Sequence, residues 1–321
     1  MTAQRTQRKL HFLGPLGSFT HAAAVENLAR FEERFGAEFT LVSHRTAAEV
    51  FAVISHTDDY GLLAFENNVE GYVVPNLDSL IDADDVVGVD RVGLPVAFDA
   101  FTLPRHAELR EVAAHPHGLA QCKTFVEKAG YTEVPATSNA EACQHLTEHR
   151  VGLGPRICGE LYGLETLERN VQDYQGARTD FLLLSGRDNA QKYLAQARSG
   201  GVSRFETVLA FVPLSTGPGV LANALDIMRD SGLNMTSFIS RPIKGHDGTY
   251  SFIATFDAAP WQKRFVTAVT TLLERGDWVR SLAVYERPEH VSPPVETWML
   301  PTGGVRDAHA PQANRELLWG E

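Results

Sequence analysis

The chain has 321 residues, 44% of them hydrophobic and 21% charged, and carries a formal net charge of −11 at pH 7. That length suits two domains with a sizeable core, and the composition is that of a globular chain rather than a disordered or membrane one. The negative charge argues against non-specific nucleic-acid binding, which needs a basic surface, yet leaves a small anionic ligand in a local pocket open.

Residues 1–9 are polar and basic, and the apolar stretch 10–13 is broken at once by Gly14-Pro15. A signal peptide does not have this form and no apolar run approaches a membrane span, so a cytoplasmic protein without membrane partners is expected. Cys122, Cys143 and Cys158 are widely spaced and odd in number, without a CxxC pair, which predicts reduced structural thiols rather than disulfides or a zinc site.

In chain order, a strand is expected over 9–13, followed by the Gly-rich turn 14–20 and a helix over 21–35. Such a turn either simply connects strand to helix or presents free backbone N–H groups and the positive helix end to an anion. A strand at 39–43 leads to Thr46-Ala47-Ala48-Glu49, a capping box that opens the next helix. An apolar strand over 60–65 ends in Glu66-Asn67-Asn68-Val69-Glu70-Gly71, polar residues placed where open α/β sheets bind ligands, or else an Asx-rich turn. After a helix over 74–81, the acids Asp82, Asp84 and Asp85 lack the alternating pattern and glycine of a calcium loop and read as a solvated turn.

Strands over 86–94 and 96–103 cross into a second lobe, where strand, polar turn and helix start recur at His115-Pro116-His117 and at Thr137-Ser138-Asn139. His115 or His117 could act as a base or simply be solvated, and Thr137-Ser138-Asn139 is first a helix cap and only second an anion site. Two such lobes imply a cleft that closes on a small ligand. The return strand begins at Arg178-Thr179-Asp180-Phe181 before the apolar run 182–184. Alternation points Arg178 and Asp180 to one face and Thr179 and Phe181 to the other, so a neutral hydroxyl and an ion pair share one strand start.

Residues 188–204 are polar with no sustained apolar period and read as a linker. Strands over 207–213, 233–240, 249–257 and 278–285 with helices over 219–230 and 261–275 then give βαββαβ, a ferredoxin-like unit. The tail from 286 onward, rich in Pro, Gly and charge, is expected to be extended or partly disordered.

Taken together, Gly14-Pro15-Leu16-Gly17-Ser18-Phe19-Thr20, Glu66-Asn67-Asn68-Val69-Glu70-Gly71, His115-Pro116 through Gln121-Cys122, Thr137-Ser138 with Ala140, and Thr179 with Phe181 resemble the prephenate dehydratase family. Gly219-Val220-Leu221 and Asn234-Met235-Thr236 leading to Ser240-Arg241-Pro242 extend the resemblance to its C-terminal ACT regulatory domain. It implies a two-lobed, periplasmic-binding-protein-like α/β catalytic domain over 10–187, with lobe 1 about 10–97 plus 178–187 and lobe 2 about 98–177. A linker over 188–205, an ACT domain over 206–286 and a tail over 287–321 complete the expected organisation.

The implied chemistry is a lyase reaction on prephenate that releases carbon dioxide and the ring hydroxyl, giving phenylpyruvate without cofactor or metal. The implied catalytic residues are Thr179, Glu66 and Asn67. Those implied to bind substrate are Ser18, Phe19, Thr20, Asn68, His115, Thr137, Ser138, Arg178 and Phe181. Gly219, Leu221, Asn234, Ile239, Ser240 and Arg241 are implied for an amino-acid effector, and a homodimer or homotetramer is expected.

Three departures stand out. The family's threonine-arginine-phenylalanine triplet is Thr179-Asp180-Phe181 here, its glutamate-asparagine-serine is Glu66-Asn67-Asn68, and its glutamate-serine-arginine-proline is Ile239-Ser240-Arg241-Pro242. An acid beside the active hydroxyl, expected to fall in the cleft, keeps a prephenate decarboxylase that retains the ring hydroxyl as the alternative. A non-catalytic ligand sensor is the reading from another class. Ile239 cannot accept a hydrogen bond or pair with an ammonium group, so feedback by phenylalanine is expected to be weak or absent.

Overall fold

The computed structural model describes residues 6–201, 204–286 and 295–318. Those up to 286 form one compact unit and 295–318 a separate one. The elements of the first are β1 (Thr6–Leu13), α1 (Phe19–Glu26), α2 (Leu28–Phe35), β2 (Ala37–His44), α3 (Ala47–Ile54), β3 (Tyr60–Asn67), β4 (Gly71–Tyr72), α4 (Val74–Asp82) and β5 (Val86–Pro95). Then come β6 (Asp99–Thr102), β7 (Glu111–Ala114), α5 (Pro116–Gln121), α6 (Lys123–Ala129), β8 (Thr132–Pro135), α7 (Asn139–Gln144), β9 (Arg150–Gly154), α8 (Ile157–Tyr162) and β10 (Glu165–Glu168). The chain returns through β11 (Arg178–Gly186) and α9 (Arg187–Ser199) to β12 (Phe205–Val212), α10 (Val220–Asp230), β13 (Met235–Pro242), β14 (Tyr250–Phe256), α11 (Lys263–Glu274) and β15 (Trp278–Glu286).

Two sheets organise this mixed α/β fold. The larger runs β13-β14-β12-β15-β5-β11-β3-β1-β2, with β4 beside β3, and the smaller runs β10-β6-β9-β7-β8. β11 sits between β3 and β5 and is antiparallel to both. The larger sheet joins the N-terminal and C-terminal parts of the chain through a single pairing of Ala283 with Gly88, where a Cβ on Gly88 would lie 2.7 Å from that of Ala283.

Strand alternation sorts the core by face. Leu10, Phe12, Leu62, Phe181 and Leu183 pack with Phe31 on one side. On the other, Leu63, Phe65, Leu182 and Leu184 join Leu77 and Leu80 of α4 and Val208, Ile253, Leu282 and Tyr285 of the C-terminal strands. The C-terminal βαββαβ part is therefore docked on a shared apolar core, which at about 25 cal/mol per Å² of apolar surface is the main force holding it there.

Several elements differ from expectation. The helix expected over 21–35 is two helices that break at Asn27, whose φ of −100° is not helical and whose side chain donates to the Ala23 carbonyl at 3.0 Å. The stretch expected to be a linker holds the helix α9, thirteen residues long, because Ala190, Tyr193 and Leu194 supply enough apolar contact to fix an otherwise polar sequence. In the tail, Thr297–Met299 form a 3₁₀ turn and Ala313–Leu317 a short helix, α12. The rest of the tail expectation falls partly outside the described residues.

Candidate active site

The start of β11 divides its side chains as alternation requires. Asn67 lies opposite Thr179 on β3 and donates from Nδ2 to Thr179 Oγ1 at 3.0 Å. The Asn67 Oδ1 accepts the amides of Val69 and Glu70 at 2.8 and 3.0 Å, which fixes which end of the carboxamide faces the threonine. Thr179 shares its face with the fully buried Phe181, which packs with Leu94, Phe12 and the α1 side chains Phe19 and Ala22.

The opposite face carries ions. Asp180 Oδ2 accepts from Arg91 Nε and Nη2 at 3.0 and 2.5 Å, and Arg178 Nη2 lies 2.8 Å from Asp180 Oδ1. Arg91 Nη2 also donates to Glu66 Oε2 at 2.9 Å, and Nη1 to the Tyr285 hydroxyl at 3.2 Å. Two guanidiniums and two carboxylates thus balance; burial lowers the Arg91 pKa, but its neighbours Tyr285 and Asp180 outweigh burial and push it up. Arg178 can lie flat against β5 because residue 93 is glycine: a Cβ there would stand 2.0 Å from Arg178 Nε.

These positions bear on three expectations. As strand alternation predicts, Asp180 and Arg178 turn away from the Thr179 hydroxyl, so the departure at 180 does not set a negative charge beside it. Glu66 joins them, on the face opposite Asn67. The cause is a bulge: pairing shifts from Phe181↔Ala64 to Asp180↔Glu66, leaving Phe65 without an opposite residue and exchanging the faces that Glu66 and Asn67 would otherwise take. Asn68 is committed to the backbone, accepting the Arg178 amide at 2.7 Å and donating to the Gly176 carbonyl at 2.9 Å.

At the first turn, Ser18 Oγ accepts the His21 amide at 3.2 Å as the cap of α1, and helix geometry leaves the amides of Phe19 and Thr20 without intrahelical partners. The turn is held from both sides by side chains whose link to it local sequence patterns did not reveal. His21 Nδ1 accepts the Gly17 amide at 3.0 Å while its ring stacks on Phe12, and burial lowers its pKa, favouring neutral imidazole. Cys158 Sγ donates to the Gly17 carbonyl at 3.2 Å and the Tyr162 hydroxyl to the Leu16 carbonyl at 2.7 Å. Phe19 also meets Phe98 of the second sheet region edge-on at 5.1 Å.

His115 caps α5, accepting the His117 amide at Nδ1 at 3.3 Å. Ser138 caps α7 by accepting the Glu141 amide at 3.0 Å, while the Thr137 amide and hydroxyl both donate to the Glu141 carboxylate. The donors proposed for a substrate anion at Thr137 are therefore taken by the protein's own acid, and Glu141 has its pKa lowered by those bonds.

A cavity of about 220 Å³ lies beside Asn67, lined also by Val69, Glu70, Gln121, Gln172 and Ala177. Its rim is bridged where Gln121 Nε2 donates to Glu70 Oε1 at 3.1 Å. A second cavity of about 480 Å³ has Phe19, Leu94 and Arg156 in its wall, with Arg156 paired to Asp99 at 3.2 Å. Among the described residues no cluster of three or more His, Cys, Asp or Glu has the arrangement to hold a metal ion.

In the C-terminal part, Gly219 caps α10 with φ of +81°, Leu221 packs in the core under that helix, and the Asn234 carbonyl accepts the Asp257 amide at 3.0 Å. β13 alternates: Ser240 is exposed, while Ile239 packs against the core shared with α4 and Arg241 forms a two-bond pair with Asp78, both at 2.8 Å. Arg280 donates to the Ile81, Ala83 and Asp84 carbonyls at and just beyond the end of α4, and the Tyr72 and Ser237 hydroxyls are bonded to each other.

The prephenate dehydratase family model matches residues 10–189. A prephenate dehydratase from Amycolatopsis methanolica is 30% identical over 293 residues, covering 90% of this chain and 91% of that protein. Among solved structures, the quorum-quenching acylase GqqA superposes with a TM-score of 0.72 at 23% identity over 88% of this chain and 99% of that one. A prephenate dehydratase from Arthrobacter aurescens in complex with L-Phe gives 0.71 at 22% identity over 91% and 94%. At these identities the two structures speak for the fold alone. The sequence match decides the family: this chain belongs to the prephenate dehydratase family.

Proposed function

We propose that the chain is a prephenate dehydratase, a lyase that converts prephenate to phenylpyruvate, carbon dioxide and water. The observation that carries this is the Asn67–Thr179 pair. Because Thr179 Oγ1 accepts from Asn67 Nδ2, the threonine's own proton is directed elsewhere, and accepting a bond makes the hydroxyl a better donor. A prephenate whose ring hydroxyl meets Thr179 loses its ring carboxylate as carbon dioxide. The freed electron pair enters the ring, the C–O bond breaks, and the hydroxyl leaves as water on taking up one proton. Thr179 supplies the aligned hydrogen bond and relays a proton that comes ultimately from solvent; such assistance contributes roughly 10²–10⁴ in rate. The open amides of Phe19 and Thr20 at the start of α1 are the fixed donors for a carboxylate.

The ionic cluster strengthens this reading over decarboxylation with retention of the hydroxyl, since Asp180 is neutralised on the far face of the sheet. A proton spectrum of the products formed from prephenate tests it. Phenylpyruvate is expected, whereas a dihydro product that keeps the ring hydroxyl would contradict it, as would no turnover at all.

The same proposal covers the finer architecture: two periplasmic-binding-protein-like lobes around the cleft, a C-terminal ferredoxin-like ACT domain, a cytoplasmic homodimer or homotetramer, and an effector response blunted relative to the family. What supports the last is that Ile239 packs into the core shared with α4 and that Arg241 is bound by Asp78. Calorimetry with phenylalanine is expected to show no micromolar binding, and a micromolar dissociation constant would refute it.

A further inference from the structure

We infer that Arg91 is a positioning residue for the Asn67–Thr179 pair, and that the Tyr285 hydroxyl of the last C-terminal strand is one of the arms through which it acts; this rests on reading Thr179 as the active hydroxyl. Arg91 contacts neither Asn67 nor Thr179. Its guanidinium instead holds the residue next to each, Glu66 on β3 and Asp180 on β11, with Tyr285 as the third partner. The ring faces of Phe65 and Tyr285 lie 5.8 and 5.9 Å from its Cζ and restrict how the planar group can turn. A single cation thus joins the two strands of the site to β15.

The element that this cluster biases is the bulge at Phe65. β3 could pair with β11 without the extra residue. A strand that slips by one residue turns each side chain to the other face, so unbulged pairing would bring Glu66 toward Thr179 and turn Asn67 away. Such an arrangement would separate Glu66 from Arg91, leaving a carboxylate unpaired beside an anionic substrate. The arginine fork, with Glu66 and Asp180 both on Nη2 and Tyr285 on Nη1, stabilises the bulged register. A lysine offers charge without that fixed geometry. Because Tyr285 is fully buried on β15, the seating of the C-terminal part reaches the site through this hydroxyl as well as through the bond of Ser237 to Tyr72, the residue paired with Glu66.

The test uses the full chain with Tyr285→Phe, which removes one oxygen and keeps the ring, and with Arg91→Lys. The readouts are kcat and KM for prephenate and, without substrate, the NMR signals of the Asn67 side-chain amide. Tyr285→Phe is expected to lower kcat about 2- to 30-fold with little change in KM and to shift the Asn67 amide, with Arg91→Lys doing the same more strongly. The triple variant Glu66→Gln, Arg91→Met, Asp180→Asn, which removes both carboxylates with the cation they share and leaves only the half-exposed Arg178, is expected to regain thermal stability over Arg91→Met alone but not kcat. Native kcat and an unshifted amide in Tyr285→Phe would overturn the inference, and so would recovery of kcat in the triple variant. A native chain inactive on prephenate would instead overturn the reading of the site, while the amide signal still decides the role of Arg91.

Discussion

The two faces of β11 at its first three residues are built on opposite principles. On one face stand two neutral groups, Thr179 and Asn67, joined by one hydrogen bond, with the Asn67 carboxamide oriented by backbone amides. Toward the C-terminal part stand Arg178, Asp180, Arg91 and Glu66, each ion matched by another. The contrast teaches that the Thr179 hydroxyl, proposed above as the proton donor, has a neutral carboxamide as its immediate partner, while the charge that stiffens the strand sits one sheet thickness away. The acid at 180 belongs to the second principle and not to the first.

The sharpest way to break the comparison is to unbalance the charged face. Arg91→Met leaves Glu66 and Asp180 without their shared cation, and Asp180 is only 15% exposed. Denaturant unfolding is expected to show a loss of about 1–3 kcal/mol, the usual cost of removing one partner from a buried polar group, since Asp180 keeps Arg178. A loss below about 1 kcal/mol would mean that the cluster behaves as a solvated surface pair.

A smaller effect tests the neutral side. Burial lowers the pKa of His21, which holds the Gly17 amide, and of His11 beside His44 and Asp59. Both side chains bind a proton more readily when unfolded, so their share of stability is intact above about pH 6.5 and declines as pH falls below it toward the folded values. Thermal midpoints are expected to drop between pH 7.5 and 5.5, and His21→Gln is expected to flatten that drop. An unchanged slope in the variant would remove His21 from the account.

Much of this division was legible in the sequence. Period-two alternation separated Arg178 and Asp180 from Thr179 and Phe181 because β11 itself is regular there. The same rule failed for Glu66 and Asn67, since the bulge at Phe65 arises from pairing with a strand more than a hundred residues away. Arg91 was passed over, beside Asp90, as a charge in an otherwise apolar strand run; only the fold brings Glu66, Asp180 and Tyr285 to it. The helix α9 was hidden because its few apolar residues are spent on neighbours that local periodicity does not reveal. By contrast, the helix cap within Thr137-Ser138-Asn139 was in plain view, and the cost to the anion site expected there came from Glu141, whose carboxylate takes the Thr137 donors.

The most direct measurement compares phenylpyruvate formation from prephenate by the native chain, Thr179→Ser and Thr179→Val. Valine keeps the shape and removes the hydroxyl, whereas serine keeps the hydroxyl. The account predicts that Thr179→Ser retains most of kcat and that Thr179→Val loses about 10²–10⁴ of it with the fold intact. A valine variant that forms phenylpyruvate at the native rate would contradict it.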